Sequence, residues 1–267
     1  MNAKEKAFVK TVKTFYKKSG RHDLPWRQTE DPYKILVSEI MLQQTQVPRV
    51  IEKYNAFLKV FPTVQTLATA SQIEVLQLWS GLGYNRRARF LHQCAKEIVT
   101  LKKFPIDITE LEKLPGVGHY TARAVATFAY NQRHVFIETN IRTVFVHHFF
   151  PKKEQVLDSA ILKLVEKTLD TKHPRDWYAA LMDYGTYLKA QGNTAHRNAR
   201  VYTKQSAFIG SNRRVRGLIM KSLLVEPRTI DDLAVQTDCT QEELSRALES
   251  LIKDSFVLKK NKKYTLV

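Results

Sequence analysis

The chain has 267 residues, long enough for one large domain or two modest ones with a real core. Its 43 Lys and Arg stand against 26 Asp and Glu, a formal net charge of +17 that attracts polyanions, either nucleic acid or an anionic membrane surface. A membrane span is excluded because no run of about 18 apolar residues exists. Residues 1–6 also lack the apolar core of a signal peptide, so the expectation is a cytoplasmic protein that meets nucleic acid and no membrane.

In chain order, the apolar spacing is mostly helical and predicts an all-α chain, with roughly ten helices up to about residue 191 and little strand. Phe8, Val12, Phe15 and Tyr16 form one stripe, ended by Gly20. Asp31 before Pro32 pairs an N-cap with proline at the first helical position and predicts a helix through about Thr45. Ser71 with Glu74, Thr109 with Glu112, and Thr240 with Glu243 each have capping-box spacing. A short helix over about 108–113 and a longer one from near Tyr120 flank Leu114-Pro115-Gly116-Val117-Gly118. From Lys189 to Arg216 stand seven basic residues (Lys189, Arg197, Arg200, Lys204, Arg213, Arg214 and Arg216) and no acid, which reads as a basic connector over 191–213. Beyond it, helices over 215–224, 230–236 and 241–253 precede two short strands around a Lys/Asn turn. These resemble a winged helix-turn-helix module at 214–267. Glu242, Glu243 and Glu249 make its third helix poor for reading a groove, so protein contact, backbone docking and sequence recognition all stay open.

Two glycines around Val117 let the backbone turn tightly and aim N–H groups outward. With the positive end of the following helix, where His119 and Thr121 lie, they make an anion site suited to one phosphate. Tyr84 beside Arg86, Arg87 and Arg89 suggests stacking combined with phosphate contacts, against a turn tyrosine packed on the core. Glu39 lies in a helix apolar almost all round, so burial should raise its pKa and keep a proton available, unless a structural Arg neutralises it. Glu138 ends an apolar approach where a helix begins, a position that should lower its pKa, although an ordinary capping acid sits there too. Cys94 and Cys239 lack metal-ligand spacing and read as reduced, partly buried thiols.

The hairpin, preceded by Leu114-Pro115 and followed by Tyr120-Thr121-Ala122, closely resembles that of the helix-hairpin-helix DNA glycosylase superfamily. Leu24-Pro25-Trp26-Arg27, Asp31-Pro32-Tyr33-Lys34, Ser38-Glu39-Ile40-Met41-Leu42-Gln43-Gln44-Thr45-Gln46-Val47 and Trp79-Ser80-Gly81-Leu82-Gly83-Tyr84 resemble its adenine DNA glycosylases, the MutY family. The resemblance spans roughly residues 10 to 190. It implies double-stranded DNA with a mispaired base as partner, bound by a monomer, with one nucleotide flipped out.

Residue roles follow from the same resemblance. Glu39 is the general acid at adenine N7, and Trp26 and Arg27 line the base pocket. Gln43 and Gln44 wedge into the stack, Thr45 beside them is DNA-binding, and Tyr84 inserts beside the base opposite the adenine. Glu138 takes the place of an aspartate that stabilises the cationic sugar, with Asn140 matching the family asparagine. Tyr120 stands where backbone-cutting relatives carry a lysine; a phenol cannot form an imine, so a monofunctional glycosylase is implied.

The implied architecture has one lobe over about 22–132 and a second over 1–21 plus 133–190. The chain departs from the family in three ways: Glu138 is one methylene longer than aspartate, two thiols cannot supply a four-cysteine iron–sulfur cluster, and the 8-oxoguanine-recognition domain is absent. No cofactor is expected, although the resemblance leaves room for a monovalent cation at the hairpin carbonyls. A G:T or G:U mismatch glycosylase and a catalytically silent DNA-binding protein are the competing readings.

Overall fold

The structure is a computed structural model and describes residues 1–152, 154–200 and 210–267. Its helices run α1 (Ala3–Ser19), α2 (Pro32–Leu42), α3 (Val47–Val60), α4 (Val64–Thr69), α5 (Gln72–Trp79), α6 (Arg86–Thr100), α7 (Ile108–Lys113), α8 (His119–Tyr130), α9 (Thr139–Phe149), α10 (Asp158–Thr168), α11 (Pro174–Ala190), α12 (Asn212–Leu223), α13 (Ile230–Thr237) and α14 (Gln241–Lys253). Strands β1 (Val257–Lys260) and β2 (Lys263–Leu266) close the chain as an antiparallel hairpin. Asn261 and Lys262 turn it, both in the left-handed region that such two-residue turns require.

Local signals explain most boundaries. The first apolar stripe lies on α1, which buries Phe8 and Val12 and stops at Gly20. The boxes at Ser71 and Thr240 cap α5 and α14 as their spacing predicts. At α7 the cap is instead Asp107, whose carboxylate accepts the N–H groups of Thr109 and Glu110 at 2.8 and 3.4 Å; Thr109 already lies inside the first turn. Helix α2 ends at Leu42 rather than near Thr45, because Gln44 takes a left-handed conformation through which a right-handed helix cannot continue. Among the described residues, eleven α-helices precede residue 191, close to the expected ten.

The chain forms two compact units. The first, Met1–Glu39 with Phe104–Lys204, packs α9 on α11 and α1 across both. There Phe8 meets Phe145, Phe149 and Trp177 at ring distances of 5.0, 5.1 and 6.1 Å. The second, Ile40–Lys103 with Gln205–Val267, packs α4 and α5 on α6, and α12 on α14. This division cuts the chain at other points than the two lobes implied by the resemblance and the separate C-terminal module read from residues 214–267. Residues 210–267 are tied to 40–103 by Arg89, which donates to the Asp254 carbonyl, and by Gln72, which donates to that of Val267 at 3.1 Å. Of the basic connector, Lys204 lies outside the described residues, while Ala195–Asn198 forms a short 3-10 turn. Among the described residues no helix is long and apolar enough to cross a membrane.

Candidate active site

The first unit gathers the two carboxylates around Tyr120. Helix α2 is buried continuously over residues 35–41, and Glu39 within it is only 7% exposed. Burial pushes its carboxyl up to about 7, opposed by a hydrogen bond from Tyr120 and by the charge of Arg27, and aided by the charge of Glu138. The Tyr120 phenol donates to Oε2 at 3.0 Å, which leaves Oε1 to carry an acid proton. Burial, then the two carboxylates, hold the phenol well above the usual tyrosine range, so it stays a donor. Its ring meets Phe136 edge-on at 5.7 Å, and Phe136 stacks on Tyr178 at 3.8 Å. The Tyr178 hydroxyl donates to the His134 carbonyl at 2.7 Å and accepts the Phe136 N–H at 3.2 Å, fixing that ladder.

Glu138 caps α9: its Oε1 accepts the N–H groups of Asn140 and Ile141 at 2.8 and 2.9 Å, and Oε2 accepts from the Asn140 amide at 3.3 Å. The expectation that the helix start lowers its pKa is corrected in net direction. Burial is the larger effect and raises the pKa, although both N–H groups, Lys189 and Arg142 favour the anion. A helix-terminus rule is local, whereas the desolvation comes from the surrounding elements.

Arg27 lies in the 3-10 turn Pro25–Arg27 beside buried Trp26. Its Nη2 stands 3.5 Å from Asp183 Oδ1, an acceptor shared with Arg21 at 2.6 and 2.9 Å. Its Nη1 is buried and has no hydrogen-bond partner, a donor turned inward. Arg21 and Asp183 were not among the candidates; a buried carboxylate that unites two arginines more than 150 residues away leaves no short-range signal.

The hairpin has the expected form. Gly116 is left-handed at φ +76°, and the Val117 N–H bonds the Leu114 carbonyl at 3.0 Å. Gly118 precedes α8 without any side-chain cap, and a Cβ there would meet nothing within 4 Å. The first turn of α8 thus presents its N–H groups past an open face. Leu114, Val117 and Thr121 are buried, so any contact they make at that face is through backbone. His119 is exposed, near Glu112 at 3.1 Å.

The second unit carries the remaining candidates. Gln44 is exposed and left-handed, Gln43 and Thr45 are half-buried, and Tyr84 is left-handed at φ +49°. Arg213 donates to the Tyr84 hydroxyl at 2.5 Å and lies over its ring at 5.4 Å. Arg86 is exposed. Arg87 is corrected from a phosphate contact to a structural role, because its guanidinium is buried and spent on the protein itself. It donates to the carbonyls of Ile40, Met41, Leu82 and Gly83 at 2.9, 3.0, 3.2 and 3.0 Å, to that of Gln43, and to the Thr45 hydroxyl at 3.1 Å. Arg89 likewise turns inward, to the Asp254 carbonyl and over the Phe256 ring at 5.9 Å.

A four-cysteine cluster does not fit this donor set. Cys94 is buried in α6, its thiol pushed up to about 12 by burial, Cys239 is buried in the second unit, and residues 192–198 offer no thiol.

Residues 37–168 match the model of the HhH-GPD superfamily base excision DNA repair protein family. The chain is 36% identical to an adenine DNA glycosylase of Mycobacterium tuberculosis, over 91% of this chain and 88% of that protein. It is 38% identical to the human adenine DNA glycosylase over 67% of this chain, but spans only 35% of that protein's length. Among solved structures, a thermostable thymine-DNA glycosylase superposes with a TM-score of 0.60 at 28% identity, over 68% of this chain and 86% of that one. An endonuclease III–DNA complex at 18% identity, also with a TM-score of 0.60, covers 73% and 91% and shares the fold.

Proposed function

The chain belongs to the adenine DNA glycosylase family, within the HhH-GPD superfamily of base excision DNA repair proteins, and on that premise we propose that it hydrolyses the N-glycosidic bond of adenine mispaired with 8-oxoguanine or guanine. The observation that carries the reading is Glu39: a buried carboxyl whose pKa stands near 7, with one oxygen held by Tyr120 and a second carboxylate close enough to raise it. Such a group holds a proton at neutral pH and delivers it to the leaving base. The C1′–N9 bond then breaks with both electrons leaving on adenine. Glu138, fed by two backbone N–H groups, faces the cationic sugar until water adds to C1′ and gives up its proton to a carboxylate.

Tyr120 has no amine, so the product is an intact abasic site. The hairpin at 114–118 would hold a phosphate of double-stranded DNA, with Gln43, Gln44 and Tyr84 at the lesion and Arg86 on the backbone. No step in this scheme requires a cofactor.

The test is single-turnover excision from duplexes carrying A:8-oxoguanine, A:G, G:T and G:U pairs, with and without alkali. Strand breaks at adenine that need alkali are expected. Release of thymine or uracil would move the protein to the mismatch branch, and binding without any release would make it a silent relative.

A further inference from the structure

Lys189 belongs by sequence to the basic connector, yet it sits half-buried in the last turn of α11. Its ammonium donates to Asn140 Oδ1 at 2.8 Å. That bond fixes which way the amide points: with Oδ1 turned to Lys189, Nδ2 faces Glu138 and donates to Oε2 at 3.3 Å. Backbone N–H groups hold the other carboxylate oxygen. Gly185 lies one turn before Lys189 on α11, and a Cβ there would stand 2.4 Å from the Asn140 carbonyl oxygen. The close approach of α11 to the start of α9 therefore brings Lys189 within reach.

We infer that Lys189 is a positioning residue: through Asn140 it orients the Glu138 carboxylate and supplies the cation that keeps this longer side chain anionic beside the sugar. The inference rests on the reading of Glu138 as the anion that faces the sugar. Of the other groups facing Glu138, Arg142 of α9 is held by Asp158 through two bonds of 2.9 and 2.8 Å. Glu39 of α2 and Tyr120 of α8 both feel the Glu138 charge. Burial raises the Glu138 pKa and Lys189 lowers it, so loss of the ammonium should raise it further.

The variants are Lys189→Met and Lys189→Arg, read in two ways. In single-turnover excision from an A:8-oxoguanine duplex, Lys189→Met is expected to slow release by about 10- to 100-fold near neutral pH with duplex affinity kept. Its acidic limb should move up by roughly half a pH unit or more. Lys189→Arg should restore the limb. Carbon-13 NMR titration of the Glu138 carboxyl, assigned with Glu138→Gln, should show the same upward shift in Lys189→Met. An unmoved Glu138 titration overturns the inference whether or not the protein excises adenine, and so does an equal rate loss at every pH. A wild-type chain that releases adenine from no duplex overturns the functional reading instead.

Discussion

Glu39 is destabilising in the form that prevails at high pH. Its carboxyl titrates near 4.5 in the unfolded chain and near 7 when folded, so the folded state keeps a proton that the unfolded state has released. The associated stability is fully present below about 4.5 and is lost as pH rises through about 7, a change of about 3 kcal/mol. Glu39→Gln should therefore melt above the wild type at pH near 8 and close to it near pH 4.5, while excision is lost and DNA binding kept. Thermal melts at the two pH values check the first point and a binding assay the second. The same carboxyl sets the basic limb of excision near pH 7, where the acid deprotonates. Tyr120→Phe removes a donor that favours the anion, so that limb should move to higher pH in a pH–rate profile.

Burial in the apolar run of α2 made Glu39 readable from its own helix, because all its neighbours in sequence are inward-facing too. Lys189, Arg87 and Arg27 were not readable in the same way. Each is one basic residue among 43, and what separates a buried guanidinium or ammonium from a solvated one is a partner distant in the chain. The sign at Glu138 failed for the same reason: the helix start is local, and the elements that desolvate it are not.

At the scale of elements, two contacts carry consequences larger than their size. Gly185 lets α11 meet α9, and Gly185→Ala should cost about 1–3 kcal/mol by overpacking and displace Asn140. Urea unfolding and the excision rate of the variant measure the two effects. On α6, Arg86 and Arg87 are adjacent yet opposite in fate. Arg86→Ala should leave melting unchanged and flatten the salt dependence of duplex binding by about one unit of slope. Arg87→Met should lower stability by about 3 kcal/mol, since the carbonyls it serves lose a buried donor. Anisotropy titrations across salt and thermal melts distinguish the pair.

For the whole molecule, the C-terminal residues are part of a compact unit rather than an attachment. Phe256 is fully buried, Arg216 pairs with Asp254 at 2.7 Å, and residues 210–267 complete the unit begun by 40–103. Truncation after residue 210 should therefore lower the cooperative unfolding of α3–α6, seen as an earlier urea midpoint, even though α12–α14 read in sequence as a self-contained winged module.

Arg87 also has a mechanical meaning. One guanidinium grips the carbonyls of Ile40, Met41 and Gln43 at the end of α2 and those of Leu82 and Gly83, two segments some forty positions apart that carry Gln43 and Gln44 on one side and Tyr84 on the other. With six acceptors on one planar group, neither segment can slide without dragging the other. Gln43, Gln44 and Tyr84, the side chains proposed to meet the lesion, would thus move as a single jaw with one joint, and a reporter dye on one segment would register whatever displaces the other.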